Sequence, residues 1–156
     1  MKLQTEPAEL RVSEAEPGNE NQDQITVSDS DKVNILVVDD LQEKLLVYET
    51  VLESLNQNVM TAHSGEEALR LVLQHDFAVI LLDVNMPGID GFETAALIRQ
   101  RKKSAHTPII FITAFADELR IAEGYAQGAV DYIFAPVVAD VLRAKVKVFV
   151  DLFQMA

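Results

Sequence analysis

Val79-Ile-Leu-Leu-Asp-Val-Asn-Met-Pro-Gly-Ile-Asp-Gly91 opens with four apolar residues and closes on two turn signals. A half-buried strand alternates apolar with polar side chains. The unbroken run from Val79 to Leu82 therefore implies a strand buried on both faces, as in a parallel sheet. Asp83 follows at once, at the carboxyl end, where open α/β sheets place their ligand crevice. Behind it, Pro87-Gly88 and Asp90-Gly91 turn the chain toward a helix. Taken alone, Asp83 could equally be a strand-ending residue that caps a turn.

Outward from this stretch the pattern repeats. Val33-Asn-Ile-Leu-Val-Val38 is a second buried strand, and it too ends in acid, Asp39-Asp40. A helix follows, with Asp40 as its expected cap and Glu43 three residues on, and with Leu41, Leu45, Tyr48, Val51, Leu52 and Leu55 in helical period. Asn58–Ala62 reads as a short strand, and Ser64-Gly-Glu-Glu67 opens the next helix by the same capping logic. After the Asp83 strand a helix runs through Phe92 and Ile98 into the basic run Arg99-Gln-Arg-Lys-Lys103. That run resembles an anion patch, but cations also favour a helix C-terminus, and we read it that way. Pro108–Thr113 is the fourth strand, about Asp117 to Ala126 the fourth helix, Ala129–Phe134 the last strand, and a long helix begins near Val138. Five β-α units imply an α/β fold, a doubly wound five-stranded parallel sheet of order 2-1-3-4-5, flavodoxin-like.

The 156 residues suffice for one ordinary core. With no cysteine, disulfides and thiol chemistry are excluded. No apolar run approaches the roughly 20 residues of a membrane span, and the first residues lack a signal-peptide core, so a cytoplasmic protein without membrane contact is expected. Residues 1–31 hold eight acids and two bases and few aliphatics, and are expected to form a disordered acidic tail, with a short element near Ile25–Val27 at most. Residues 32–156 form the folded domain. They hold seventeen acids and eleven bases, a balance that does not attract phosphate backbones, so no direct nucleic-acid binding is expected.

If the first and third strands are neighbours, Asp39, Asp40 and Asp83 converge. Three carboxylates so close must be relieved by protons or a cation. Oxygen-only ligands select a hard ion, Mg²⁺ first. A bound Mg²⁺ would admit a phosphate, making Asp83 a candidate nucleophile and Thr113 a candidate hydroxyl donor to its oxygens.

Asp39-Asp40, the Leu82–Gly91 loop, Ile112-Thr-Ala114 and Gly128-Ala-Val-Asp-Tyr-Ile-Phe134 ahead of a proline, in this order and spacing, resemble the receiver domain of two-component response regulators over about residues 32–153. The resemblance implies that Asp83 accepts a phosphoryl group from the phosphohistidine of a histidine kinase or histidine phosphotransfer protein. It implies Mg²⁺ held by Asp39, Asp40, Asp83 and the backbone carbonyl of Asn85, with Thr113 and Tyr132 as the switch pair. It implies a phosphoacceptor signalling domain rather than an enzyme. One position departs from the pattern: receivers usually carry a lysine directly before the last-strand proline, and here Ala135 stands there. Its loss removes a charge-assisted contact worth roughly 1.5–3 kcal/mol. Lys145 and Lys147 lie well into the last helix, and no lysine close in sequence replaces it.

The last helix carries two apolar stripes, Val138, Leu142, Val146, Phe149 and Phe153 beside Val141, Val148 and Leu152. Packing on one face of a sheet needs only about 100° of apolar surface. The excess points to a homodimer or a downstream domain through this helix. An aspartate-nucleophile phosphatase would want an acid where Asn85 stands. An EF-hand loop starting at Asp83 fails at Pro87 and at Thr94, its twelfth position. A dinucleotide site fails because no G-x-G-x-x-G follows the first strand. His63, His75 and His106 show no metal-ligand spacing and read as surface residues. The remaining rival is a non-phosphorylated receiver-like interaction module, which Ala135 favours and the complete acid set opposes.

Overall fold

In parallel sheets the strands are buried on both faces and the helices connect them, so element order dictates the layers. The computed structural model describes residues 31–114, 118–126, 128 and 131–156. The expected tail, the Ile25–Val27 element and the proposed strand start at Ala129-Val130 lie outside these residues. The strands are β1 (Asn34–Val38), β2 (Asn58–Ala62), β3 (Val79–Asp83), β4 (Ile109–Thr113) and β5 (Asp131–Phe134). They form one parallel sheet of order β2-β1-β3-β4-β5. The helices are α1 (Gln42–Leu52), α2 (Gly65–Gln74), α3 (Gly91–Gln100), α4 (Glu118–Ala126) and α5 (Ala139–Met155). Among the described residues no helix is long and apolar enough to cross a membrane.

Every residue of β3 and of β4 is buried, as their unbroken apolar runs require, whereas β2 at the sheet edge is mostly half-buried. Side chains alternate between two cores. Leu36, Val38, Ile80, Leu82 and Phe111 pack with Ala68 and Val72 of α2 and Phe92, Ala95 and Ile98 of α3. Ile35, Val37, Val79, Leu81, Ile110 and Ile112 pack with Leu45, Tyr48 and Leu52 of α1 and Leu142, Val146 and Val150 of α5.

The caps refine the sequence reading. Ser64 Oγ accepts the Glu67 N–H at 3.1 Å, as expected for α2. Asp40 does not cap α1. The N-cap is Leu41, without a side-chain bond, and it is Asp39 Oδ1 that accepts the Leu41 N–H at 2.9 Å. Asp40 is thereby left to the crevice. At α3 the structure shows a reciprocal capping box between Asp90 and Glu93, with bonds of 2.8 and 2.9 Å, directly after the loop from Asp83. Pro87 precedes Gly88 at φ +76°, a left-handed position that suits glycine. The basic run has a structural use: Arg99 donates to the Thr107, Ser104 and Gly128 carbonyls at 2.6, 3.3 and 2.9 Å, pinning the end of α3 to two loops.

On α5 the first stripe is buried only in its middle, at Leu142 and Val146, while its ends, Val138 and Phe153, are exposed, and the second stripe is exposed throughout. Leu142 is fully buried, while Val141, Val148 and Leu152 are 42, 53 and 55% exposed. Leu142→Ala should therefore cost about 2–5 kcal/mol in urea unfolding, and Leu152→Ala well under 1 kcal/mol. Equal losses would show that the outer stripe is also packed within the folded chain.

Candidate functional site

Strand pairing builds the site. β1 and β3 run in register through Val38 and Leu82, so the residues that follow, Asp39-Asp40 and Asp83, emerge at one edge. This is the switch point of the sheet, where β1 has β2 on one side and β3 on the other. One carboxylate oxygen from each of Asp39, Asp40 and Asp83 lies within 4.8 Å of the others. Asp39 is 1% and Asp83 8% exposed, and Asp40 is half-buried.

Burial sets the electrostatics. It drives the Asp83 carboxyl up to about 7, helped by the charge of Asp39, against the Asn85 N–H and Lys44, which favour the anion. Asp39 is raised for the same main reason and with a contribution from Asp40, against the Leu41 N–H and Lys44. Tyr48, buried beneath them on α1, has its phenol pushed up to about 12 by burial and by Asp39 and Asp83.

The donor set fits a hard divalent cation. Three carboxylate oxygens converge, and Asp39 Oδ2 is buried with no hydrogen-bond partner among the described residues. A buried anionic oxygen without a partner is costly, and a cation at this point would satisfy it. Asn85 lines the same cavity, which has a volume of about 450 Å³.

Thr113 ends β4, is buried, and reaches the cavity beside Asp83. Ala135 contributes only a methyl to the wall; its N–H donates to the Thr113 carbonyl at 2.8 Å, and its peptide bond to Pro136 is cis. Tyr132 stands apart from the cavity. It is buried in the α2/α3 core, with its ring centroid 5.5 Å from that of Phe111, and its hydroxyl donates to the Ile121 carbonyl of α4 at 3.1 Å. His63 and His106 are exposed and His75 half-buried, all outside the acid cluster.

Lys44 and Tyr48 also line the cavity and belong to none of the motifs. Their signal is positional. They follow Asp40 by four and eight residues, the spacing that stacks side chains along one helix face.

Comparison with known proteins agrees with this geometry. The chain is 37% identical over 102 residues to the transcriptional regulatory protein SrrA of Staphylococcus aureus, a match covering 65% of this chain and 41% of that protein. It thus spans about two fifths of the length of that curated relative. Among solved structures it superposes on the chemotaxis protein CheY4 of Vibrio cholerae with a TM-score of 0.72 and 30% identity, covering 76% of this chain and 98% of that one. A putative response regulator from Chloroflexus aurantiacus gives 0.72 and 32%, covering 77% and 98%. Residues 35–147 match the sequence profile of the response regulator receiver domain, and the chain belongs to that family.

Proposed function

We propose that this receiver accepts a phosphoryl group on Asp83. Domains of this family serve two-component signalling and are not classical enzymes. The observation that carries the reading is the convergence of three carboxylates, one with an orphaned oxygen, at the ends of β1 and β3. Asp39, Asp40 and Asp83, with the backbone carbonyl of Asn85, would hold Mg²⁺. The ion supplies charge neutralisation for an incoming phosphate.

An Asp83 oxygen attacks phosphorus in line. The P–N bond to the imidazole of a histidine kinase or histidine phosphotransfer protein breaks, and its electron pair leaves with the imidazole. The Thr113 hydroxyl then donates to a phosphoryl oxygen. Tyr132, with its hydroxyl on the Ile121 carbonyl of α4, forms the switch pair with Thr113 and carries the Thr113 movement to α4. The exposed stripe of α5 is the output surface, facing a second copy or a following domain. The expectation of no nucleic-acid contact concerns this acidic body alone: SrrA is a transcriptional regulatory protein, and a longer parent of this chain could carry a DNA-binding domain. The constitutive-binder alternative rests on Ala135, and the family match with the complete acid set does not favour it.

Incubation with acetyl phosphate should add one phosphoryl mass to the intact chain only when Mg²⁺ and Asp83 are both present. Asp83→Ala should remain unmodified. No gain from acetyl phosphate or from a phosphohistidine donor would leave the constitutive binder standing. The pH dependence of stability has a definite sign. The folded chain keeps a proton on Asp83 up to about pH 7, whereas an ordinary aspartate loses it near 3.8. Between those values the folded state binds more protons, so stability falls as pH rises. In EDTA, melting temperature should decline from about pH 4 to about pH 7, and Asp83→Asn should flatten the decline. An unchanged slope in the variant would assign the burden to other groups.

A further inference from the structure

A phosphoryl group on Asp83 adds negative charge to a pocket that already holds three carboxylates. A divalent ion offsets only part of this, so a protein cation in reach would matter. The β5 end of the cavity offers the methyl of Ala135 and nothing charged. The basic side chains of α5 are committed elsewhere: Lys145 pairs with Asp131, Lys147 with Asp151 at 2.8 Å and Arg143 with Asp140 at 2.5 Å. Lys103 pairs with Asp76 at 3.6 Å, and Arg99 serves three carbonyls. Among the described residues, the basic side chain that lines the cavity is Lys44, in the first turn of α1. It is exposed and makes no ion pair with a described residue.

We propose that Lys44 supplies, from α1, the ammonium contact to the phosphoryl group on Asp83 that Ala135 cannot make from β5. The proposal rests on the phosphoacceptor reading. Its geometry has support in charge: Lys44 already favours the anionic forms of Asp83 and Asp39. Lys44 reaches the site from a solvent-exposed helix turn. Its contact is therefore screened by salt more than one from a buried lysine, and the modified state depends on ionic strength.

The test compares the wild type with Lys44→Met, Lys44→Arg, Lys147→Met and the double variant Lys44→Met/Ala135→Lys. Two quantities are read: the dissociation constant for beryllofluoride with Mg²⁺, and the rate of phosphorylation by acetyl phosphate. In the second, an Asp83 oxygen forms the new bond to phosphorus as the bridging P–O bond breaks, its electrons leaving on acetate. Lys44→Met should weaken beryllofluoride binding and slow phosphorylation about tenfold or more. Lys44→Arg should retain most of both, and Lys147→Met all of both. The double variant should recover, because a lysine at position 135 fills the same need from the opposite wall. Lys44 is exposed and outside both cores, so the variants should fold, and melting curves verify that each does. A Lys44→Met chain that binds beryllofluoride and takes phosphate as the wild type does overturns the inference while leaving Asp83 as the acceptor. A wild type that takes no phosphate overturns both, and the two failures are thus distinguishable.

Discussion

Three carboxylates held together in a poorly solvated crevice repel one another, and the rest of this molecule is arranged around that repulsion. Asp39 and Asp83 are buried because the strands that carry them are buried on both faces. The same apolar runs that stabilise the sheet thus impose an electrostatic cost at its carboxyl edge. That cost is what makes the site responsive. A proton or a cation at this edge would relieve it, each to a different extent.

The rigid parts of the fold keep this edge from relaxing. The Asp90–Glu93 capping box fixes the start of α3 directly behind the Asp83 loop, and Gly91 allows the close approach: a Cβ there would press on the Asp83 carbonyl and on Val84. On the other side, the Leu41 N–H holds one oxygen of Asp39, and the second is buried without a hydrogen-bond partner among the described residues. Carboxylates anchored this way by backbone geometry would lower the ordering cost of holding a cation.

In the core beneath α2 and α3, an aromatic row leads from α3 over β4 to β5 at the sheet edge. Phe92, Phe111, Tyr132 and Phe134 follow one another with centroid separations of 4.9, 5.5 and 6.0 Å. Gly124 of α4 leaves room for the Tyr132 hydroxyl, which a side chain at that position would displace.

Local pattern alone determined the alternation of strands and helices, the burial of β1, β3 and β4, the strand order and the meeting of Asp39, Asp40 and Asp83. Unbroken apolar runs have one stable solution in an α/β chain, and right-handed crossovers leave few orders for it. The Ser64 cap was legible for the same reason, since its partner lies three residues away. What tertiary structure decided depends on contacts between distant segments. Asp40 looks like a helix cap in sequence, yet Leu41 takes that place, its N–H held by Asp39, and Asp40 lines the crevice. Arg99 ends a basic run, but its partners at Ser104, Thr107 and Gly128 come from separate loops. The two stripes of α5 are equally apolar in sequence; only packing in the α1/α5 core buries Leu142, Val146 and Val150 while leaving Val138, Val148, Leu152 and Phe153 exposed. Lys44 and Tyr48 belong to the site because the fold brings α1 and the end of β3, some forty positions apart in the chain, to one cavity.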